Sequence, residues 1–158
     1  MRRIVAIAIS FILALSVAAP IAVAVAQEPP TEADGTFTVK KGRLCEFPVR
    51  FEVSGTTKMI ESPGGGVIFI FPGLTATLTN VDNPENQETL SVTGSFHDTV
   101  LENGNVERVF TGRNLLFFPE VGFVLAVGEF SIVFDQKGKV VQPLSGEGQL
   151  IDVCALLT

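Results

Sequence analysis

The chain is 158 residues long and 46% hydrophobic, and its 11 Lys and Arg stand against 17 Asp and Glu, for a formal net charge of −6. Binding to nucleic acid or to an anionic membrane needs clustered cations facing phosphates. Here only Lys40-Lys41-Gly42-Arg43 groups them, in what reads as a solvated loop, so both partner classes are excluded.

Arg2 and Arg3 form a short basic head, residues 4–19 an apolar run, and Pro20 breaks it. Ala24-Val25-Ala26 supplies the small-x-small pattern that signal peptidase reads, which places the cut between Ala26 and Gln27. The competing reading is a retained anchor, because residues 4–26 are almost continuously apolar and long enough to cross a bilayer. The Ala-x-Ala site and the polar Gln-Glu-Pro-Pro after it favour cleavage, so membrane contact is expected only before the signal segment is removed. No cysteine closely follows the apolar run, which argues against lipid anchoring. Cleavage leaves nine basic residues against all 17 acidic ones, a net charge of −8. The expected location is therefore secreted or cell-envelope. Residues 27–36 are polar, Pro-containing and aperiodic and read as a flexible tether. Residues 37–158 read as one domain, long enough to bury about two-thirds of its unfolded surface.

Beyond residue 36 the period is two, not 3.6, with Gly, Pro and Asn as punctuation, which is an all-β pattern. Over 45–53, Cys45, Phe47, Val49, Phe51 and Val53 share one face, and Glu46, Pro48, Arg50 and Glu52 the other. Pro48 lacks a ladder donor and marks an edge, a bulge or the strand's start. A modest strand over 56–61 and the turn Gly64-Gly65-Gly66 lead to an apolar strand over 67–71, ended by Pro72-Gly73. Strands follow over 74–81 and, as one long element, over 88–100. Glu102-Asn103-Gly104-Asn105 is a hairpin turn, since Asn-Gly tolerates the positive φ it demands. Further strands are predicted over 106–111, 113–118, 123–134 (bent at Gly128), 139–143 and 149–156, with a turn at Lys137-Gly138. Nine or ten strands at this spacing predict a single antiparallel β-barrel, closed or nearly so, with a β-sandwich as the alternative.

Cys45 and Cys154 bracket the domain, and in an oxidising compartment they are expected to form a disulfide. Bonding requires Cα atoms within about 7 Å. First and last strands lying side by side, as in a closing barrel, meet that distance; terminal strands on facing sheets would also meet it.

Groups able to do chemistry are few. His97 is the one histidine, and no Cys-x-x-Cys, His-Glu-x-x-His, Gly-x-Ser-x-Gly or phosphate-loop pattern occurs. His97 and Asp98 are adjacent on a strand, so they face opposite sides and form no relay. A lone histidine argues against a conventional zinc site, and no cofactor, metal or catalytic residue is assigned. Asp98, Arg108 and Asp152 share strand faces with apolar neighbours. An inward charge must be paired, so these three are read either as internal ion pairs and strand-end carboxylates or as groups that orient a ligand. Twelve phenylalanines follow residue 26, with no Trp or Tyr. Phe brings apolar area with no polar handle, which suits a packed core or a pocket for an apolar molecule and disfavours a sugar-stacking surface.

Cys45-Glu46-Phe47-Pro48-Val49, Pro72-Gly73-Leu74, Thr77-Leu78-Thr79-Asn80, Thr111-Gly112-Arg113-Asn114-Leu115 and Asp152-Val153-Cys154 together resemble small exported actinobacterial β-rich proteins of unknown function. The resemblance covers residues 37–158 and implies secretion and paired end cysteines, with no activity attached. The expected barrel shape is also similar to dirigent-like and allene-oxide-cyclase-like barrels, none of whose catalytic motifs can be placed here. The function expected is non-enzymatic binding of a small apolar ligand. The alternatives are a structural or interaction protein acting through an exposed edge or apolar patch, and an isomerase- or cyclase-like barrel.

Overall fold

Period-two alternation produces ladders wherever both strand faces find cover, and the computed structural model of the chain, which describes residues 29–61 and 66–158, shows where they do. The expected signal segment, the expected cut between Ala26 and Gln27, and Gly64-Gly65 lie outside the described residues. In chain order the elements are β1 (Thr31–Glu32), β2 (Gly35–Val39), β3 (Val49–Ser54), β4 (Thr56–Glu61), β5 (Val67–Ile70), β6 (Thr75–Asn80), β7 (Gln87–Ser91), β8 (Ser95–Val100), β9 (Val106–Phe118), β10 (Gly122–Phe134), β11 (Val140–Asp152) and the short helix α1 (Val153–Leu156). They form two antiparallel sheets. The larger has the order β1-β4-β5-β8-β9-β10-β11 and the smaller β2-β3-β6-β7.

No closed barrel is present among the described residues, which corrects the leading expectation. The reason lies in four places where the chain leaves one sheet for the other. β1 passes into β2 through Ala33-Asp34, β3 into β4 at Gly55, β5 into β6 through Pro72-Gly73, and β7 into β8 through residues 92–94. The last was read as one continuous strand. Instead the Val92 amide donates to Leu74 O at 2.9 Å, toward the small sheet, while the Gly94 amide donates to Arg113 O at 2.9 Å, toward β9. The ladder parts at Thr93, and Val100, expected on a buried face, is 73% exposed. The supposed tether also carries structure: β1 and the first residues of β2 lie within 27–36. There Thr31 and Glu32 pair with β4, and Gly35 and Thr36 with β3.

β9, β10 and β11 are 13 residues each, and they do not run straight. Gly112, Gly128 and Gly148 are direct ladder partners, one row across three strands. Gly112 has φ +84° and Gly128 φ +140°, backbone that L side chains rarely adopt. A Cβ at Gly128 would collide with the Glu147 carbonyl and stand 2.8 Å from Gly148 Cα. The strands fold over along this row. Phe110 and Phe118 sit eight residues apart on one strand, a span of about 26 Å if extended, yet their ring centroids are 6.4 Å apart. Phe118 also reaches within 6.4 Å of Phe134.

The crease gives one ribbon two cores. Its concave face holds Phe110, Leu116, Val124, Ala126, Phe130 and Ile132. Residues of opposite parity, among them Phe123 and Leu125, pack against Val49, Phe51, Ala76 and Leu78 of the small sheet. On β3 the expected dry side is present, with Val49 and Phe51 buried and Arg50 and Glu52 exposed.

Cys45 and Cys154 are disulfide-bonded with Cα atoms 5.5 Å apart. They do not join neighbouring strands. Cys45 lies in the loop between β2 and β3, because Pro48 delays the start of β3, and Cys154 lies in α1, where the last strand has already ended. The bond therefore ties the small sheet to the end of the large one. Closing a loop of 109 residues contributes about 4–5 kcal/mol by loop entropy. Asn80 acts beside it: buried at the end of β6, its Nδ2 donates to Leu157 O at 3.0 Å, and its Oδ1 accepts from the amides of Asp82 and Asn83.

Gly128→Ala should lower unfolding free energy by about 2–4 kcal/mol, since added strain and backbone collision act together. Gly138→Ala, at a turn with φ +79° but open space around the missing Cβ, should cost about 1 kcal/mol. Urea unfolding of both variants measures the difference; equal effects would contradict a crease held by close backbone approach.

Candidate functional site

Where the chain leaves β7 for β8 at Thr93, the two sheets do not fill the space between them, and an apolar cavity of about 210 Å³ remains. β3 contributes Phe51 and Val53 to its wall, and the crossing into β6 contributes Phe71, Leu74 and Ala76. Val92 and Phe96 come from either side of the break, and Phe110, Asn114, Leu115 and Leu116 from β9. The seam belongs to neither core alone: Phe51 and Leu115 belong with the small-sheet core, Phe110 and Leu116 with the concave one.

The aromatic walls are braced from behind. Phe96 stacks on Phe69 with centroids 4.7 Å apart and meets Phe71 and Phe110 at 6.0 Å each. The brace follows from register, because Phe69, Phe96, Phe110 and Phe130 are successive cross-strand partners on four strands. Phe51 is stacked on its own ladder partner Phe37, at 4.7 Å. Such pairs hold rings in fixed orientations, so the cavity has stiff sides.

Asn114 is the one lining residue with polar side-chain atoms, and it is only 6% exposed. Its Nδ2 donates to Thr111 O at 3.1 Å. Gly94 makes room for it: a Cβ there would stand 2.6 Å from Asn114 Cγ. Sequence reasoning did not single out Asn114. The signal that marks it is parity, since positions 110, 114 and 116 share a face and two of them are buried apolar residues.

The charged residues expected to orient a ligand lie elsewhere. Asp98 and Arg108 are ladder partners and form a two-pronged ion pair, Nε to Oδ1 at 2.7 Å and Nη2 to Oδ2 at 2.6 Å. The guanidinium carbon lies 4.6 Å above the centre of the Phe96 ring, a cation–π contact. The hydrogen bond to Asp98 raises the Arg108 pKa above its ordinary value, against an opposing effect of partial burial. Because the shift is upward, the guanidinium stays charged through the neutral range, and the arginine's side of the pair is lost only as pH rises past that elevated value. The pair is therefore no switch at working pH on the arginine side. Asp152 is exposed and caps α1, its Oδ1 accepting from the Ala155 amide at 3.1 Å; it does not point inward, because the strand ends there and the face shared with Cys154 and Leu156 does not exist. His97 lies half-buried on β8 between Ile68 and Val109. None of His97, Asp98, Arg108 and Asp152 lines the cavity.

Among the described residues no group of three or more His, Cys, Asp or Glu is placed to hold a metal ion. A larger hollow of about 370 Å³ lies along Ile70, Pro72, Thr93 and Gly112, but it is a more open groove. The long outer edge of β11, a candidate for strand addition, is interrupted by register shifts opposite Ser131 to Phe134 and by Pro143.

No protein-family model, curated protein or solved structure matches this chain.

Asp98→Asn removes the charge partner of Arg108. It should lower stability by about 1 kcal/mol, at the upper end for an ion pair about a third exposed, and less in 1 M salt. Urea unfolding at two salt concentrations checks this. Affinity for an apolar probe should not change; if it did, the pair would belong to the site.

Proposed function

We propose that this domain is an exported, non-enzymatic binding protein that holds a small apolar molecule in the seam between its two sheets. The supporting observation is the cavity itself, walled by ten apolar side chains and one amide. Its volume of about 210 Å³ is below the ~300 Å³ at which drug-sized pockets begin. It exceeds the ~150 Å³ of an engineered apolar cavity that takes up benzene. The ligand is accordingly monocyclic or short-chained. The disulfide fits an oxidising destination, in line with the signal-like segment and with the resemblance to small exported proteins. An isomerase or cyclase reading has less support, since no wall residue titrates near neutral pH and none is a nucleophile.

Ethylbenzene tests the site. The wild-type protein should melt several degrees higher in its presence, as expected when a ligand binds only the native state. Ala76→Leu places a larger side chain at a buried wall position and should abolish the shift while the variant still unfolds cooperatively. Absence of any shift with benzene, ethylbenzene and butylbenzene would overturn the reading.

A further inference from the structure

Resting on the seam cavity as a binding site, we infer that its ligand carries a single hydrogen-bond donor, a hydroxyl or an N–H on an otherwise apolar skeleton, and that Asn114 Oδ1 accepts from it. An amide has two ends, and the hydrogen-bond pattern tells which is which. The bond to Thr111 O must come from nitrogen, because the reversed amide would set two oxygens against each other. The nitrogen end also rests over Gly94, where a Cβ would collide with Nδ2. The side chain is thus held by its nitrogen end, and Oδ1 is the end left for another group.

Oδ1 has no hydrogen-bond partner among the described residues, although Asn114 is only 6% exposed. The atom is not sealed off, and the residue borders the cavity. Asn80 supplies the contrast. It is equally buried at 6% exposure, yet its Oδ1 accepts two backbone amides and its Nδ2 donates to a carbonyl. Asn80 is fully used by the fold; Asn114 is used at one end. Oδ1 is free to accept, so a ligand that donates to it gains a hydrogen bond that a ligand without a donor does not. Because every other wall side chain is apolar, a second polar group on the ligand would find no side-chain partner and would oppose binding. The site thus selects for an apolar skeleton and for one donor on it.

The test titrates the oxidised wild-type protein and Asn114→Leu calorimetrically with 4-ethylphenol, ethylbenzene and 1-ethyl-4-fluorobenzene. Asn114→Leu should weaken 4-ethylphenol about 3- to 10-fold, the value of one ordinary hydrogen bond, and leave ethylbenzene unchanged or tighter. In the wild type, the Asn114 side-chain carbonyl carbon resonance should move with 4-ethylphenol and stay in place with ethylbenzene. That measurement stands even if the variant does not fold. If the fluoro compound, which cannot donate, produced the same displacement as the phenol, the donor assignment would be overturned. Equal weakening of phenol and ethylbenzene in Asn114→Leu would also overturn it, while the cavity would stand as a binding site. If no compound bound the wild type, the cavity itself would fail as a site.

Discussion

Backbone against backbone, with no side chain between, is the constraint on which this fold depends. Gly112, Gly128 and Gly148 meet in one row across β9, β10 and β11, and along that row the ribbon folds onto itself until Phe110 and Phe118 approach. A straight ribbon of this length would leave its concave face in water. Folded, the same strands bury Phe110, Phe130 and Ile132 on one face and present Phe123 and Leu125 to the small sheet on the other. The contacts between the two arms of the ribbon, such as Phe110 with Phe118, presuppose the crease.

A folded ribbon that packs on a separate small sheet needs fastening. Four crossings, at Ala33-Asp34, Gly55, Pro72-Gly73 and residues 92–94, connect the sheets along the chain. The Cys45–Cys154 bond and the Asn80 contact to Leu157 tie the C-terminal end. At that end the joint is tight, with Val153 and Leu157 fully buried. Toward the Thr93 break, β7 and β9 form no ladder and are joined by the Arg113 Nε donation to Ser91 O at 3.0 Å, and the unfilled space lies there. The cavity is a consequence of where the chain changes sheets, kept open by rings that are stacked on partners outside it.

Much of this architecture is legible in the chain. Alternation in Val49 to Val53 specifies a strand with one dry face, and Asn103-Gly104 and Lys137-Gly138 specify their hairpins by backbone chemistry alone. The cysteine pairing follows from the way Cys45 and Cys154, the two cysteines of the chain, bracket the domain. What is not legible depends on long-range geometry. Leu90, Val92 and Phe96 keep strict alternation across residue 93, so the local pattern conceals a change of hydrogen-bond partner. Gly146 and Gly148 read as a loop between two strands, because their use, close approach to β10, involves residues about 20 positions away. Asp152 reads as an inward strand carboxylate for as long as the strand is taken to continue; a capping role becomes visible only once Val153 starts a helix. Asn114 sits in plain alternation with Phe110 and Leu116, but an amide in a polar run draws no notice until its neighbours on the folded ribbon are known.

The central claim is that the seam between the sheets is an apolar space open to a small guest. Crystals of the oxidised protein held under xenon pressure test it most directly, since xenon enters dry apolar cavities without needing any polar contact. A xenon peak among Phe51, Phe96 and Leu115, with the surrounding rings unmoved, is the result expected. Well-ordered side chains closing that space, with no xenon in it, would contradict the account.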